Sequence, residues 1–423
     1  MPTICLITSG QPSTNPRLVK EADALTEAGY SVRVVCAHWT AWADATDEVM
    51  LVPRSWKTAV RYVGGELAWH DPRYLWSRGR HGLSVRLSRM ARLNGELQNW
   101  TLCRVLPELA RAAKERRADL YVAHNLGALP AAVRAAQQNE AYVGFDAEDF
   151  HSGLSHTDDW ATRAAEKVER QFLPHCNYIT AASPGIALAY EGKYAIPTPA
   201  PILNVFPLAD RPSVLRASQS DQPLSLYWFS QTIGADRGLE DVVRAMGHLK
   251  GLKIELHLRG QWQNHYRNQL FELASALGVG PEQIVSHGMD SADEMTRLAS
   301  QFDIGLALEP GHSVNSDICI SNKIFTYLLA GCGVIATATS GQRSIVEQVG
   351  AAGFLYEPGD FQALAKGIKS WYDDRSTLMA ARCEAWDWGT RKYNWDLEKR
   401  KFLAVVENTL ALVETSKKQR VAQ

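Results

Sequence analysis

The chain has 423 residues, too many for one ordinary core, so two domains are expected. Its 46% apolar and 22% charged residues are those of a soluble globular protein, and a net charge of −1 supplies no global field for nucleic acid. Seven scattered cysteines, with no CxxC pair, point to reduced thiols in a cytoplasm and away from a disulfide framework or a zinc site. The opening MPTICLITSG lacks a basic region and a long apolar core, and reads as a first strand rather than a signal peptide. No apolar run approaches the roughly 20 residues needed to span a bilayer.

Thr3 to Thr8 is an apolar run that predicts a buried strand. Asn15 and Pro16 suit the N-cap and first position of a helix carrying Leu18, Ala22, Leu25 and Ala28 at helical spacing. Gly29 stops it, and Ser31 to Ala37 is a second strand. This is a βαβ unit, which implies a parallel sheet with a right-handed crossover.

Residues 39–104 break the rhythm and read as a helical insertion. Between Arg54 and Arg92 stand nine basic residues (Arg54, Lys57, Arg61, Arg73, Arg78, Arg80, Arg86, Arg89, Arg92) against two acidic ones, Glu66 and Asp71. Trp39, Trp42, Trp56, Trp69, Trp76 and Trp100 lie in or beside the stretch. Two readings stay open: a solvated basic face with tryptophans in the core, or a surface for an anionic membrane or a lipid-linked acceptor.

The α/β alternation then resumes. Strands are expected at Leu120 to Ala123, Tyr142 to Phe145 and Tyr178 to Ala182, with helices at Leu129 to Ala136 and 159–172 and a cap at Ser183-Pro184. The first strand ends at His124-Asn125 and the second at the run Asp146 to His151. Prolines 197, 199, 201, 207, 212 and 223 mark a linker. A second alternation follows, with strands at Leu224 to Phe229, Lys253 to Leu258, Gln283 to Ser286, Asp303 to Leu308 and Gly333 to Thr337. Helices fall near 238–249, 265–277, 291–300, 322–330 and 341–349. The tail shows helical spacing from Trp395 to Val413.

The expected fold is α/β, with two doubly wound Rossmann-like domains facing a central cleft. The boundaries are 1–200, 201–394 and a C-terminal helix over 395–423 packing back on the first domain. Ligands of such sheets bind outside the carboxyl ends of the strands. The stretch 303–347 is the focus: a strand ending on Glu309, a polar loop from Pro310 to Asp317, and a helix opened by Ser321 or Asn322 with Lys323 in its first turn. An open helix N-terminus beside a cation suits a phosphate. Arg237, in the loop Ile233 to Gly238, carries the same meaning. In the first half, Asp146, Glu148, Asp149 and His151 form the densest titratable set, suited to base or hydroxyl-binding work, and His124 stands at the end of another strand. Gly10 would let a substrate approach the backbone.

Residues 321–360, SNKIFTYLLAGCGVIATATSGQRSIVEQVGAAGFLYEPGD, resemble the donor-binding segment of the GT-B glycosyltransferases, specifically the family-4-like retaining group. STNPRLVKEADALTEAGYSVRVV, AHNLGALPAA, FDAEDFHS and IGADRGLEDVVRAM are similar to further segments of that family. The resemblance implies a nucleoside-diphosphate sugar bound by the C-terminal domain and a glycan or lipid-linked acceptor bound by the N-terminal one. It implies retention, no required metal and no cofactor beyond the sugar nucleotide. Placed by position, Gly10, Arg237, Ser321, Asn322 and Lys323 hold the donor diphosphate, and Thr326 the nucleoside. His124, Asp149 and Glu309 orient the reacting groups, and Arg17, Glu148 and His151 stand on the acceptor side.

The chain departs from the family pattern in three places. Thr326 stands where a ribose-holding Glu is usual, and Ile318 where the first acid of the Glu-x7-Glu pair would fall. Glu309 and Asp317 show a similar spacing one helix register earlier, and the Arg that often precedes the phosphate loop is missing near Thr232. The expected function is a cytoplasmic hexosyltransferase of polysaccharide or glycoconjugate synthesis, peripheral on the inner face of the cell membrane. A sugar-nucleotide 2-epimerase and a non-catalytic nucleotide-sugar-binding protein are the alternatives.

Overall fold

A computed structural model describes residues 1–90, 96–155, 157, 159–217 and 221–421. The chain divides into two units: Met1–Ile202 with the segment from Lys399 onward, and Leu203–Glu398. Each is an α/β unit built on one parallel sheet.

The first unit has β1 (Thr3–Thr8), β2 (Ser31–Ala37), β3 (Val60–Val63), β4 (Leu120–His124), β5 (Tyr142–Ala147), β6 (Tyr178–Ala181) and β7 (Ala200–Pro201). Their order is β3-β2-β1-β4-β5-β6-β7, all parallel. The inner strands are buried on both faces, which explains why they read as unbroken apolar runs such as TICLIT. Asn15 caps the helix Pro16–Glu27 as its sequence predicts, its side chain accepting from the Leu18 N–H at 2.9 Å. The register aligns Thr8 with His124, His124 with Asp146, and Asp146 with Thr180, one row across four strands at their carboxyl ends.

Three expectations change here. Residues 39–104 are not wholly helical, because Val60–Val63 joins the sheet as its edge strand between the helices Ala41–Met50 and Pro72–Met90. The tryptophans divide rather than share one fate: Trp56 is buried, while Trp39, Trp69 and Trp76 are exposed. Arg92 lies outside the described residues. Finally, β5 continues two residues past Phe145, so Asp146 is a strand residue with a buried side chain and not the start of a loop. The prolines of the linker do not prevent Ala200–Pro201 from pairing with β6, at the sheet edge where a missing N–H costs least.

The second unit has β8 (Leu224–Ile233), β9 (Ile254–Trp262), β10 (Ile284–His287), β11 (Ile304–Ala307), β12 (Gly333–Thr337) and β13 (Gly353–Tyr356), in the order β10-β9-β8-β11-β12-β13, again all parallel. Leu226, Trp228, Val242, Leu256, Leu306 and Ile335 lie in one core cluster. The helix Asn322–Ala330 is pinned to this sheet by Tyr327, whose hydroxyl donates to the carbonyls of Tyr227 and Leu306 at 3.2 and 3.1 Å. Its ring lies across Gly305, where a Cβ would come within 2.1 Å of it, so only glycine admits this approach. β13, the short helix Val314–Ile318 inside the polar loop, and the helices Phe361–Asp373 and Arg375–Arg391 go beyond the elements read from sequence. The tail helix Trp395–Val421 is longer than its spacing suggests. Its first turn ties down the linker: Leu203 N–H donates to Glu398 and Leu208 N–H to Asp396, at 3.0 and 2.8 Å. Among the described residues, no helix is long and apolar enough to cross a membrane.

Candidate active site

Both sheets reverse their winding direction once, between β1 and β4 in the first unit and between β8 and β11 in the second. Such a switch point leaves a crevice at the strand carboxyl ends, where neighbouring loops diverge. The sequence-predicted residues gather at these two places.

At the first switch point, the row across the strands builds a buried charge cluster. Arg17 reaches in from its helix and binds Asp146 in bidentate fashion, with Nε 2.6 Å from Oδ2 and Nη2 donating to Oδ1 at 2.7 Å. Its Nη1 donates to the Ile202 carbonyl at 2.6 Å. Thr180 donates to Asp146 Oδ1 at 2.7 Å. His124 is fully enclosed, its Nε2 3.3 Å from Glu21 and its Nδ1 3.4 Å from Asp146. Glu148, partly exposed, lies 4.0 Å from His124 and accepts from Asn15 Nδ2 at 2.6 Å. Asn15 therefore caps its helix with one side-chain atom and holds Glu148 with the other.

The charges follow from these contacts. Burial opposes a cation at His124, but the Glu21 and Asp146 carboxylates more than reverse this and push its pKa up to about 10. Burial would raise Asp146, yet Arg17 and His124 hold it well below the usual carboxylate range. Burial and the Asp146 charge raise Glu21, and the same two causes push Glu148 up to about 7. Ligand atoms of Glu21, His124 and Asp146 lie within 4.8 Å of one another, a spacing that could hold a metal ion. The Arg17 guanidinium, bonded to Asp146 and 3.6 Å from Glu21, already places a positive charge there.

Beside the cluster lies a cavity of about 520 Å³ whose lining includes Gly10, Trp39, Leu102, Asn125, His151 and Leu154. Asn125 adopts the left-handed conformation (φ 68°), uncommon outside glycine, and is fixed there by accepting from Ser9 Oγ at 2.8 Å and donating to Thr8 Oγ1 at 3.1 Å. His151 Nε2 has no hydrogen-bond partner among the described residues. The Asp149 carbonyl accepts from the Tyr190 hydroxyl at 3.1 Å.

At the second switch point, β8 runs to Ile233, four residues further than expected, and delivers the loop that opens the helix Leu239–His248. Gly238 has φ 71°, and a Cβ there would come within 2.9 Å of Leu308 Cβ. The close approach brings this helix start beside the end of β11. Asp236 is also left-handed (φ 58°), and Arg237 is exposed. Glu309 follows β11, and Lys323 Nζ lies 3.5 Å from its carboxylate and 3.4 Å from Ser321 Oγ. Burial raises the Glu309 pKa, but Lys323, the Ser321 hydroxyl and the Arg237 charge outweigh it and lower the net value. Ser321 is the N-cap of Asn322–Ala330, and its hydroxyl makes no capping bond to the first turn. Asp317 takes a structural place, accepting from Ser340 N–H and Oγ at 3.0 and 2.7 Å at the start of helix Ser340–Val349.

The structure thus groups Arg17, His124 and Glu148 in one cluster, Gly10 and His151 on one cavity, and Arg237, Glu309, Ser321 and Lys323 at one strand end. Asn322 stands beside that group. Thr326 is buried one turn along, its hydroxyl donating to the Asn322 carbonyl at 3.3 Å. Sequence reasoning missed Glu21, gave Asn125 no role beyond a strand end, and placed Asp146 in the titratable run without its partner Arg17. A signal for Glu21 was present: it sits four residues after Arg17 on a helix whose buried residues include Leu18, Ala22 and Leu25.

Residues 14–203 match the family described as Glycosyl transferase 4-like domain. No curated protein matches the chain. Among solved structures, sucrose-phosphate synthase from Thermosynechococcus elongatus is similar, with 15% identity, 97% of this chain and 100% of that chain covered, and a TM-score of 0.72. Anabaena HepE in complex with UDP-glucose has 16% identity, coverage of 96% and 100%, and a TM-score of 0.69. Staphylococcus aureus TarM, in complex with fondaparinux, alpha-GlcNAc-glycerol and UDP, has 10% identity, coverage of 97% and 100%, and a TM-score of 0.67. At these identities the likeness is one of fold.

Proposed function

We propose that this protein is a glycosyltransferase, moving a hexose from a nucleoside-diphosphate sugar to a hydroxyl of a glycan or lipid-linked acceptor in polysaccharide or glycoconjugate synthesis. The observation that carries the reading is the second switch point. There Lys323, Arg237 and the start of the Asn322–Ala330 helix converge on the end of β11, as a departing diphosphate requires. The glycosyl transferase 4-like match over 14–203 supports the same reaction class. So do the neighbours whose structures contain UDP or UDP-glucose.

In this reading the second unit holds the donor. Lys323 and Arg237 neutralise the diphosphate, Ser321 and Asn322 offer helix-start groups to it, and Glu309 faces the sugar. Gly10 lets the reacting group approach its backbone. The first unit holds the acceptor in the cavity at Gly10 and His151, with Glu148 and Asp149 at the adjoining strand end. His124 and Arg17 are enclosed and act by fixing Asp146 and Glu148. The apolar lining by Trp39, Leu102 and Leu154 favours an acceptor with an apolar part. Transfer goes with retention and without a metal ion, and the protein works in the cytoplasm at the membrane face. Thr326 lies near the nucleoside, its buried hydroxyl leaving the choice of base to other groups.

Calorimetric titration with UDP-, GDP- and ADP-sugars tests the donor assignment, and binding of one of them at micromolar concentrations is expected. Absence of binding to all three would sink it. Incubation with the bound donor alone should leave its sugar configuration unchanged, whereas an epimerised product would replace the transferase by an epimerase. Addition of a chelator should leave the transfer rate unaltered.

A further inference from the structure

The helix Pro72–Met90 buries serines and exposes large apolar side chains, with Tyr74, Val85 and Leu87 half-buried. In water a surface helix turns its apolar stripe to the core and its polar face to solvent. Here the buried positions are Ser77 and Ser84, and Arg80 and His81 also turn toward the protein. Arg80 donates to Glu108 at 2.6 Å, and His81 Nδ1 lies 2.8 Å from the Trp100 carbonyl. The outer face carries Leu75, Trp76, Leu83 and Met90, the last three exposed by 70%, 58% and 76%. Trp76, Leu83 and Met90 recur at every seventh residue, so they form one stripe along a helix about 28 Å long. Trp69, exposed by 71%, precedes the helix and packs against Tyr74 and Arg78.

Charge says what covers this stripe. The helix has five arginines and no acidic residue. Arg73, Arg78, Arg86 and Arg89 are exposed and border the apolar side chains, with the Arg78 guanidinium 4.6 Å above the Trp69 ring. Cationic groups flanking Trp, Leu and Met on one helical face match an anionic bilayer, where apolar side chains enter the headgroup boundary and arginines stay with the phosphates. A nucleic acid would use the arginines but leave Leu83 and Met90 in water. The short helix Glu96–Leu102 packs against this one, and its last residue lines the acceptor cavity, so a lipid surface and that cavity belong to one structural block.

We infer that the outer face of Pro72–Met90, through Trp76, Leu83, Met90 and the flanking arginines, docks this protein on an anionic lipid surface, lying in the interface rather than spanning it. This inference does not depend on the donor assignment. Co-sedimentation with phosphatidylcholine vesicles and with vesicles containing phosphatidylglycerol tests it. The protein should pellet with the second kind only, and less so as salt rises. Trp76→Ser and Leu83→Ser should each weaken partitioning about tenfold, and Arg86→Gln about fivefold. All three side chains face solvent, so thermal midpoints and nucleotide-sugar binding should stay as in the wild type. Quenching of tryptophan emission by brominated lipid, reduced in Trp76→Phe, gives a second reading on intact protein. The inference is overturned by failure to bind phosphatidylglycerol vesicles or by equal binding of the Trp76→Ser/Leu83→Ser double variant. Self-association abolished by Leu83→Ser, without vesicle binding, would also overturn it and assign the face to a second copy of the chain.

Discussion

The two units share a strand order, and their switch points are filled in opposite ways. In the first, the space under the strand ends is occupied by the protein itself: Arg17, Glu21, His124 and Asp146 are all buried and satisfy one another's charge. In the second, the corresponding space is left with a partly exposed Lys323–Glu309 pair and an exposed Arg237. Buried ions are costly unless paired, so the first cluster has to be complete in the folded protein. In the second, Glu309 already balances Lys323, and the exposed Arg237 is screened by solvent. One fold thus supports a buried charged wall in one unit and, in the other, the more open strand end where we propose that the donor diphosphate binds.

The largest expected effect lies in the wall. Arg17→Ala leaves the buried Asp146 and Glu21 with His124 alone to balance two carboxylates, and unfolding in denaturant should show a loss of about 3–5 kcal/mol. A loss below about 1 kcal/mol would break the contrast between the units. At the second switch point the effect should fall on turnover instead. Arg237→Ala and Lys323→Ala should each lower kcat/KM about a hundredfold, while the stability of the Arg237 variant stays within about 0.5 kcal/mol of wild type. Unchanged rates in both variants would remove the diphosphate assignment.

A pH series sharpens the same comparison. The His124 pKa is raised from 6.5 to about 10 in the fold, so the folded state keeps a proton that the unfolded chain has released. The stabilisation is complete below pH 6.5 and is lost as pH rises through 10. Between those values the wild type should lose stability more steeply than His124→Asn, by up to about 1.4 kcal/mol per pH unit. Parallel slopes would mean that His124 is neutral in the folded protein. The smallest effect is expected at Gly238→Ala, where φ 71° and the contact with Leu308 should cost about 1–2 kcal/mol. Donor binding should weaken with it, as calorimetry can show.

Much of the framework was legible because inner parallel strands are apolar on both faces and their caps are local. TICLIT, SVRVVCA and GVIAT read as strands directly, and Asn15-Pro16 and Ser183-Pro184 marked their helices. Edge strands were less visible. Val60–Val63, half-exposed and interrupted by Arg61, has no buried face to impose a pattern. Gly353–Tyr356 is equally short and also lies at an edge. The acidic run after Phe145 was visible as chemistry, but its division was not. Asp146 belongs to the strand and turns inward, whereas Glu148 stays partly open.

What the sequence determined by itself is therefore local: the two alternations, the linker between them, the helix caps, and the presence of Arg237, Lys323 and Glu309 at loop positions that follow or open regular elements. Spacing and side-chain chemistry act over a few residues, and one chain suffices to read them. Tertiary structure decided which of those residues meet. Arg17 and Asp146 are 129 positions apart and form a bidentate pair because their helix and strand are packed together. The charged neighbours brought together then outweighed burial, raising the pKa of His124 and lowering that of Asp146. The direction of the Pro72–Met90 helix was decided in the same way. Its residues announce charge and bulk, but only packing against the rest of the unit turned the serines in and the tryptophan out.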